Sequence, residues 1–508
     1  MSAHLIDGSW SDPSESASSF SPTNPLTGIA IDRTYQMATR AEIMRMASAA
    51  QGAARKMSGL HPDRMAEFLE LYASMLDDHR EEISAIAHEE TGLPLETRLR
   101  EIEFKRMTGQ LRQAAAGARD VGPSSWRNPI IDSGTNIRSA FGPLGGAVFV
   151  IGPNNFPLAF NAISGSDFAS AIAAGNPVIA KGHPAHPGTS MALAKVAHQA
   201  IVDLGLPSGM VQFFNHCHPE DGFELIQHSA VSAVSFTGSQ ESGIAIKDVA
   251  DTCGTLVYVE MSSVNPVFIL PGALVHDGCA DVATQWSQSV CMGAGQFCTK
   301  PGIAFVYGEN SLQFRSAMTS AMNALPNGTL LTEQVLRGIS DGIKAMQEVG
   351  AELLCGGEPS KEPGFQFPPT LMGISGDDFE KNAEVLQREH FGPTGLLVEV
   401  NDLDQAIRIG QQLEGQLTAT IYAGESDQSD FGIIASAIRP KCGRLIRNAM
   451  PTGVAVVPSM VHGGPYPATG HSGFTAVGMP ASIVRFSSLQ CWQGMRDEDL
   501  PEWLRTIN

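Results

Sequence analysis

Between Ala147 and Ala250 the chain alternates short apolar runs with helical stretches, and few folds accept that rhythm. The run Ala147–Ile151 has no polar position, so it does not belong on a sheet with one wet face. Further strands are expected at 177–180, 210–214 and 233–236, with helices at 158–174, 189–204, 220–228 and 241–250 between and after them. Strands of this kind are buried on both faces, which is the pattern of βαβ units around a parallel sheet. Ligands of such sheets bind beyond the carboxyl ends of the strands. The polar residues found there are Asn154-Asn155 after the first strand, Lys181 after the second and Thr237-Gly238-Ser239 after the fourth.

Around this block the texture differs. From Thr39 to Gln113 apolar residues recur at helical spacing, broken at Leu60-His61-Pro62 and Gly92-Leu93-Pro94. Residues 1–35 are rich in Ser, Pro and Thr and are expected on the surface of the first domain. Residues 126–142 form a polar, β-tolerant stretch that turns at Asp132-Ser133-Gly134. A second α/β segment runs from Val257 to about Asn448, and the tail ends in a run at 482–489 that reads as a strand. No internal repeat is visible.

The formal net charge of -20 argues against nucleic acid as a partner, because a phosphate backbone calls for a basic face. It does not argue against an anionic ligand, which needs only a local positive pocket. No stretch approaches the ~18 uninterrupted apolar residues of a membrane span. Met1–Trp10 lacks the basic region and apolar run of a secretion signal. The eight cysteines include no CxxC pair, and Cys291 and Cys298 lack neighbouring His ligands, so neither a disulfide framework nor a metal site is expected. A reduced, cytoplasmic protein is the expectation.

The stretch Gly293-Ala294-Gly295-Gln296-Phe297-Cys298-Thr299-Lys300-Pro301-Gly302 sets a thiol in a glycine-rich turn between an expected helix (278–292) and strand (303–307). Backbone N–H donors around a thiol make it more acidic and more nucleophilic, and the same donors suit a developing negative charge. Glu260 ends an apolar strand, where a carboxylate suits general-base work near neutral pH. Asn155, followed by Phe156-Pro157, has an amide able to face an oxyanion, although a lone Asn there more often caps a helix. Gly238–Gly243 matches neither the dinucleotide nor the P-loop glycine spacing. Each signal alone is weak.

Their order is not. Asn155-Phe156-Pro157, Lys181, Phe236-Thr237-Gly238-Ser239, Glu260, Gly295-Gln296-Phe297-Cys298 and Glu389-x-Phe391-Gly392-Pro393 together closely resemble the aldehyde dehydrogenase superfamily over essentially the whole chain. The resemblance implies Cys298 as nucleophile, Glu260 as general base, and Asn155 with the Cys298 N–H as oxyanion hole. It implies Lys181 and Glu389 on the cofactor riboses, Thr237, Gly238 and Ser239 at a cofactor phosphate, and Phe391 near the nicotinamide ribose. After Lys181 the chain reads Gly182-His183-Pro184, where NAD-preferring members commonly carry an acid three residues on; NADP is therefore expected, with NAD as the alternative.

Lys181–Thr189, Pro451–Val454 and Met460–Thr469 are similar to α-ketoglutarate semialdehyde (2,5-dioxovalerate) dehydrogenases, whose relatives include NADP-dependent fatty aldehyde dehydrogenases. Phe156, Phe160 and Ile163 would line a substrate tunnel, and Arg106, in the helical stretch 101–112, would anchor a carboxylate. The implied fold is α/β in three parts: a Rossmann-like cofactor domain (1–125 and 143–258), a catalytic domain (259–448) and a bridging arm (126–142 and 449–508). An arm of that size needs a partner, so a homo-oligomer, dimer or tetramer, is expected.

Overall fold

Strands without a polar face have to be sandwiched between layers, and the computed structural model, which describes residues 4–12 and 17–505, places them so. One seven-stranded sheet has the order Leu256–Glu260, Val231–Thr237, Ala147–Ile151, Val178–Lys181, Val211–Phe214, Leu5–Ile6, Ser9–Trp10. Its first five strands are parallel, and the two from the N-terminus close the edge in antiparallel fashion. Alternate residues of the strand Ala147–Ile151 serve opposite layers. Val148 and Val150 pack with Phe168 and Leu111, while Phe149 packs with Ile43 and Phe214. Register brings Lys181 level with Ile151 and Phe214, and Thr237 level with Glu260. The carboxyl ends of the strands therefore form one rim.

A second seven-stranded sheet has the order Glu352–Cys355, Thr370–Ser375, Thr394–Glu399, Ile303–Val306, Val267–Ile269, Gln416–Tyr422, Cys442–Arg447. Only its first strand is antiparallel to its neighbour. A three-stranded antiparallel sheet joins Ile130–Asp132 and Ile137–Pro143 to Ser487–Gln493 from the tail. The architecture is α/β. No helix of the described residues is long and apolar enough to cross a membrane.

The helical region follows its breaks, with helices at Arg40–Met57, Asp63–Asp78, Arg80–Thr91 and Lys105–Arg119. Between the last two, Leu95–Phe104 is a π-helix. Three expectations need correction. Residues 158–174 are not one helix: turns run to Ser164 and the helix is Ser166–Ala173. Here Asn161 Nδ2 donates to the Pro157 carbonyl, Ser164 Oγ to the Leu158 carbonyl, and Glu103 accepts from the Leu158 and Ala159 amides. These side chains take the backbone groups a helix would need. The N-terminal stretch is not all surface, since Leu5 is fully buried opposite Phe213. The tail strand begins only at Ser487, after a helical turn at Ala481–Val484.

Candidate active site

The cysteine loop is built from left-handed backbone. Gly293, Ala294 and Gly295 have φ of 57°, 56° and 68°, which only glycine adopts without strain. A methyl group on Gly295 would stand 2.0 Å from the Gly392 carbonyl oxygen, so this glycine lets the 389–393 segment lie directly against the loop. Lys300 fastens the contact, its Nζ donating to the carbonyls of His390, Gly392 and Thr394 at 2.5, 3.2 and 3.0 Å. Asn265 Nδ2 donates to the Cys298 and Lys300 carbonyls from the other side, each at 2.9 Å.

Glu260 is buried at the end of its strand, bridged to Thr469. The pairing continues on both sides, Met261 N–H to the Ala468 carbonyl and Gly470 N–H to the Val259 carbonyl, and it draws the tail across the site. Cβ atoms on Gly443, Gly463 and Gly464 would meet backbone oxygens at 1.8, 2.1 and 2.2 Å, so the glycines let the 462–464 turn nest between strands. His462 is thereby set between two groups. Its Nε2 lies 2.9 Å from Glu260 Oε1 and 3.2 Å from Cys298 Sγ. Burial opposes charge on this imidazole, but Glu260 and Cys298 prevail and raise its pKa to about 10. Burial raises the Cys298 thiol above its ordinary value, His462 pulls it back, and Glu260 and Glu389 push it further up. The acidifying effect expected of the loop amides is thus outweighed by desolvation.

Asn155 is buried beside this cluster and donates from Nδ2 to the Gln296 carbonyl at 2.9 Å. Arg98, from the π-helix, donates to the Asn155 carbonyl at 3.1 Å and pairs with the fully buried Glu103 at 2.6 Å. Its guanidinium lies over the rings of Phe156 and Phe297, 4.3 and 5.4 Å from their centroids. Arg106 lies over Phe160 and Phe156 at 4.9 and 5.4 Å. Burial lowers the Arg106 pKa, and the charges of Cys298 and Glu260 act on it from within range. Its Nη2 is buried without a hydrogen-bond partner among the described residues. A second guanidinium, Arg444, also feels the Cys298 charge. Phe160 packs on the imidazole of His462 at 6.4 Å. Ile163 is a correction: it has no exposed surface, and Tyr72 donates its hydroxyl to the Ile163 carbonyl within the core, so it lines no tunnel.

A profile of the aldehyde dehydrogenase family matches residues 10–490. The chain belongs to the aldehyde dehydrogenase family. It is similar to alpha-ketoglutaric semialdehyde dehydrogenase 2 of Azospirillum brasilense, 35% identical over 506 residues covering 97% of this chain and 94% of that one. Alpha-ketoglutaric semialdehyde dehydrogenase of Acinetobacter baylyi is also 35% identical, over 93% of this chain and 90% of its own. Among solved structures, lactaldehyde dehydrogenase from Escherichia coli superposes with a TM-score of 0.83 at 22% identity, covering 97% and 98% of the two chains. An aldehyde dehydrogenase of Pseudomonas syringae complexed with NAD+ and octanal gives 0.82 at 22% identity, covering 97% and 96%.

An aldehyde dehydrogenase binds a nicotinamide cofactor, and the residues here fit one. Glu389, within charge range of Cys298, has a buried Oε1 without a partner, which suits a hydroxyl donor. Burial raises Glu389 to about 7, against the opposing pull of Lys300, Ser262 and Ser263. Among the described residues Lys181 Nζ reaches only the Gly182 carbonyl, at 3.3 Å, and is under the electrostatic influence of Cys217 on the rim. Thr237 ends its strand beside Glu260, and Gly238 and Ser239 are exposed at the start of the helix Gln240–Cys253, Ser239 capping it through Ser242. Phe391 is half-buried beside Gly392. Thus Cys298, Glu260, Asn155, Phe156, Phe160, Arg106 and Glu389 converge, while Lys181 and the 237–239 turn lie along the rim of the first sheet.

Sequence reading of this aldehyde dehydrogenase missed His462, Arg98 and Arg444. A histidine directly before two glycines, in the turn Met460–Thr469, was a usable sign for the first. Arg98 has no local sign, because it stands in a stretch where several Arg and Glu residues are interspersed.

Proposed function

We propose that this aldehyde dehydrogenase oxidises 2,5-dioxovalerate to 2-oxoglutarate through an acyl group carried on Cys298, with NADP preferred to NAD. The observation that carries the substrate is Arg106, a half-buried cation within charge range of Cys298 whose Nη2 is buried without a hydrogen-bond partner among the described residues. Its Nε donates to Gln110 Oε1 at 3.4 Å, but a buried N–H left unsatisfied is costly, and a substrate carboxylate supplies what Nη2 lacks. The names of the two relatives at 35% identity support the same reading.

The Cys298 thiolate attacks the aldehyde carbon, and the carbonyl electrons move onto oxygen, toward the Asn155 amide. A nicotinamide held by Glu389 and the rim at Lys181 and 237–239 would supply the acceptor for the hydride that this carbon must lose. Glu260 then takes a proton from water as the water oxygen adds to the thioester, the C–S bond breaks, and the sulfur leaves as thiolate. Retention of Glu260 supports water rather than coenzyme A as the acceptor; product analysis with and without coenzyme A separates the two. NADP is supported by the residues after Lys181, Gly182-His183-Pro184, which bring no carboxylate to repel a 2′-phosphate. Assignment of the first sheet and its helices to the cofactor, and of the second to catalysis, follows from the same reading.

The apolar rings of Phe156 and Phe160 favour a second reading, a long-chain aldehyde. Kinetics with 2,5-dioxovalerate, a long-chain aldehyde and a short neutral aldehyde, each with NAD and NADP, test both. The highest kcat/KM is expected for 2,5-dioxovalerate with NADP; a higher value for the long-chain aldehyde would replace the first reading with the second.

A further inference from the structure

His462 meets the sulfur and the carboxylate through one nitrogen, and the three side-chain ligand atoms lie within 4.8 Å of one another. Its backbone holds the tail turn without help from the ring, the N–H bonded to Thr475 Oγ1 at 3.0 Å and the carbonyl to the Ala476 N–H at 2.9 Å. The buried imidazole is therefore not needed to shape the turn. It faces Glu260 and Cys298, with Phe160 against one side. The other charged groups acting on this sulfur are the cations Arg106 and Arg444 and the carboxylate Glu389.

We propose that His462 is a catalytic residue of the oxidation, its Nε2–H stabilising the Cys298 sulfur as a nucleophile and again as a leaving group. The inference rests on Cys298 being the nucleophile. Nε2–H has two acceptors within reach, and which of them carries negative charge decides the bond. When the thiol passes its proton to Glu260, whose Oε2 is buried and unpaired, Nε2–H turns to the thiolate. Sulfur then donates its electron pair to the carbonyl carbon, the thioester sulfur is uncharged, and Nε2–H returns to Glu260 once that carboxyl has released its proton to solvent. When water adds and the C–S bond breaks, the electron pair goes back to sulfur and Nε2–H meets it again. The imidazole neither gains nor loses a proton over the cycle, unlike the base of a cysteine protease.

The test is the rate at which iodoacetamide alkylates Cys298 in the full chain, followed between about pH 6 and pH 10 without aldehyde or cofactor. His462→Ala should move the midpoint of reactivity upward and slow alkylation at neutral pH roughly tenfold or more, the change that one pKa unit makes in thiolate fraction. His462→Gln, which keeps an N–H but no charge, should fall between. Glu260→Gln should shift the midpoint downward, because the competing carboxylate is gone; this variant answers the question even if changes at His462 prevent folding. Unchanged midpoints in the His462 variants, or an unchanged or raised midpoint in Glu260→Gln, would overturn the proposal. No aldehyde takes part, so that result would leave the substrate assignment standing. Failure of the underlying reading looks different: Cys298→Ser would keep its dehydrogenase turnover.

Discussion

Arg106, half-buried, and His462, buried, both carry charge beside Cys298, and their consequences are opposite. Arg106 has no ion-pair partner among the described residues, so its neutral replacement should relieve a desolvation cost while removing a substrate contact. Arg106→Met is expected to raise the thermal midpoint and to lower kcat/KM for 2,5-dioxovalerate roughly ten- to hundredfold, the range of a charge-assisted hydrogen bond. A short neutral aldehyde should be little affected, and steady-state kinetics on both substrates would check the pair of effects. His462 gains its proton's stability from Glu260 and Cys298. Its folded pKa of about 10 exceeds the ordinary 6.5, so its contribution is full below about 6.5 and is lost as pH rises through about 10. The stability gap between the wild type and His462→Gln, measured by urea unfolding, should therefore shrink across that window. Cys298, Glu260 and Asn155 were singled out by the order of several weak motifs along the chain, and the structure brings the three together. His462 was not assigned a role, because what matters about it is a contact made 164 positions from Cys298.

The π-helix Leu95–Phe104 is the element the site depends on most. Its wider turn points Arg98 at Asn155 and lets Glu103 receive both Arg98 and the Leu158 and Ala159 amides. Glu103→Ala leaves the Arg98 charge without its carboxylate and two buried amides unsatisfied, which should cost about 3–5 kcal/mol. Denaturant unfolding would read that loss. Arg98→Lys keeps charge but not the planar stack on Phe156 and Phe297, so it is expected to lower kcat with a smaller stability loss. Helical character from 39 to 113 and the breaks at Pro62 and Pro94 were readable from apolar spacing and the prolines, but the further break at His79 and the π-turn carry no such period. The turns at 158–164 were hidden for a related reason: composition there suits a helix, and only Glu103, 55 residues away, claims the amides.

The two large sheets were foreseeable as layers because their strands lack polar faces, whereas the antiparallel closure by Leu5–Ile6 needed knowledge of a free edge at Val211–Phe214. The small sheet of Ile130–Asp132, Ile137–Pro143 and Ser487–Gln493 leaves Ile130 and Ile131 59% and 45% exposed on its outer strand, next to no further strand. If that edge is covered by another copy, Ile131→Lys should lower the assembled mass seen by light scattering, and an unchanged mass would remove this edge from the interface. A different consequence follows from Gly295 seated on Gly392 and Lys300 gripping three carbonyls of the same segment. The thiol loop and the 389–393 segment behave as a single casting, so a library aimed at new aldehydes gains nothing by loosening either. Diversity is better introduced at Phe160, which packs on His462, and at Arg444, within charge range of Cys298, since neither belongs to that rigid piece.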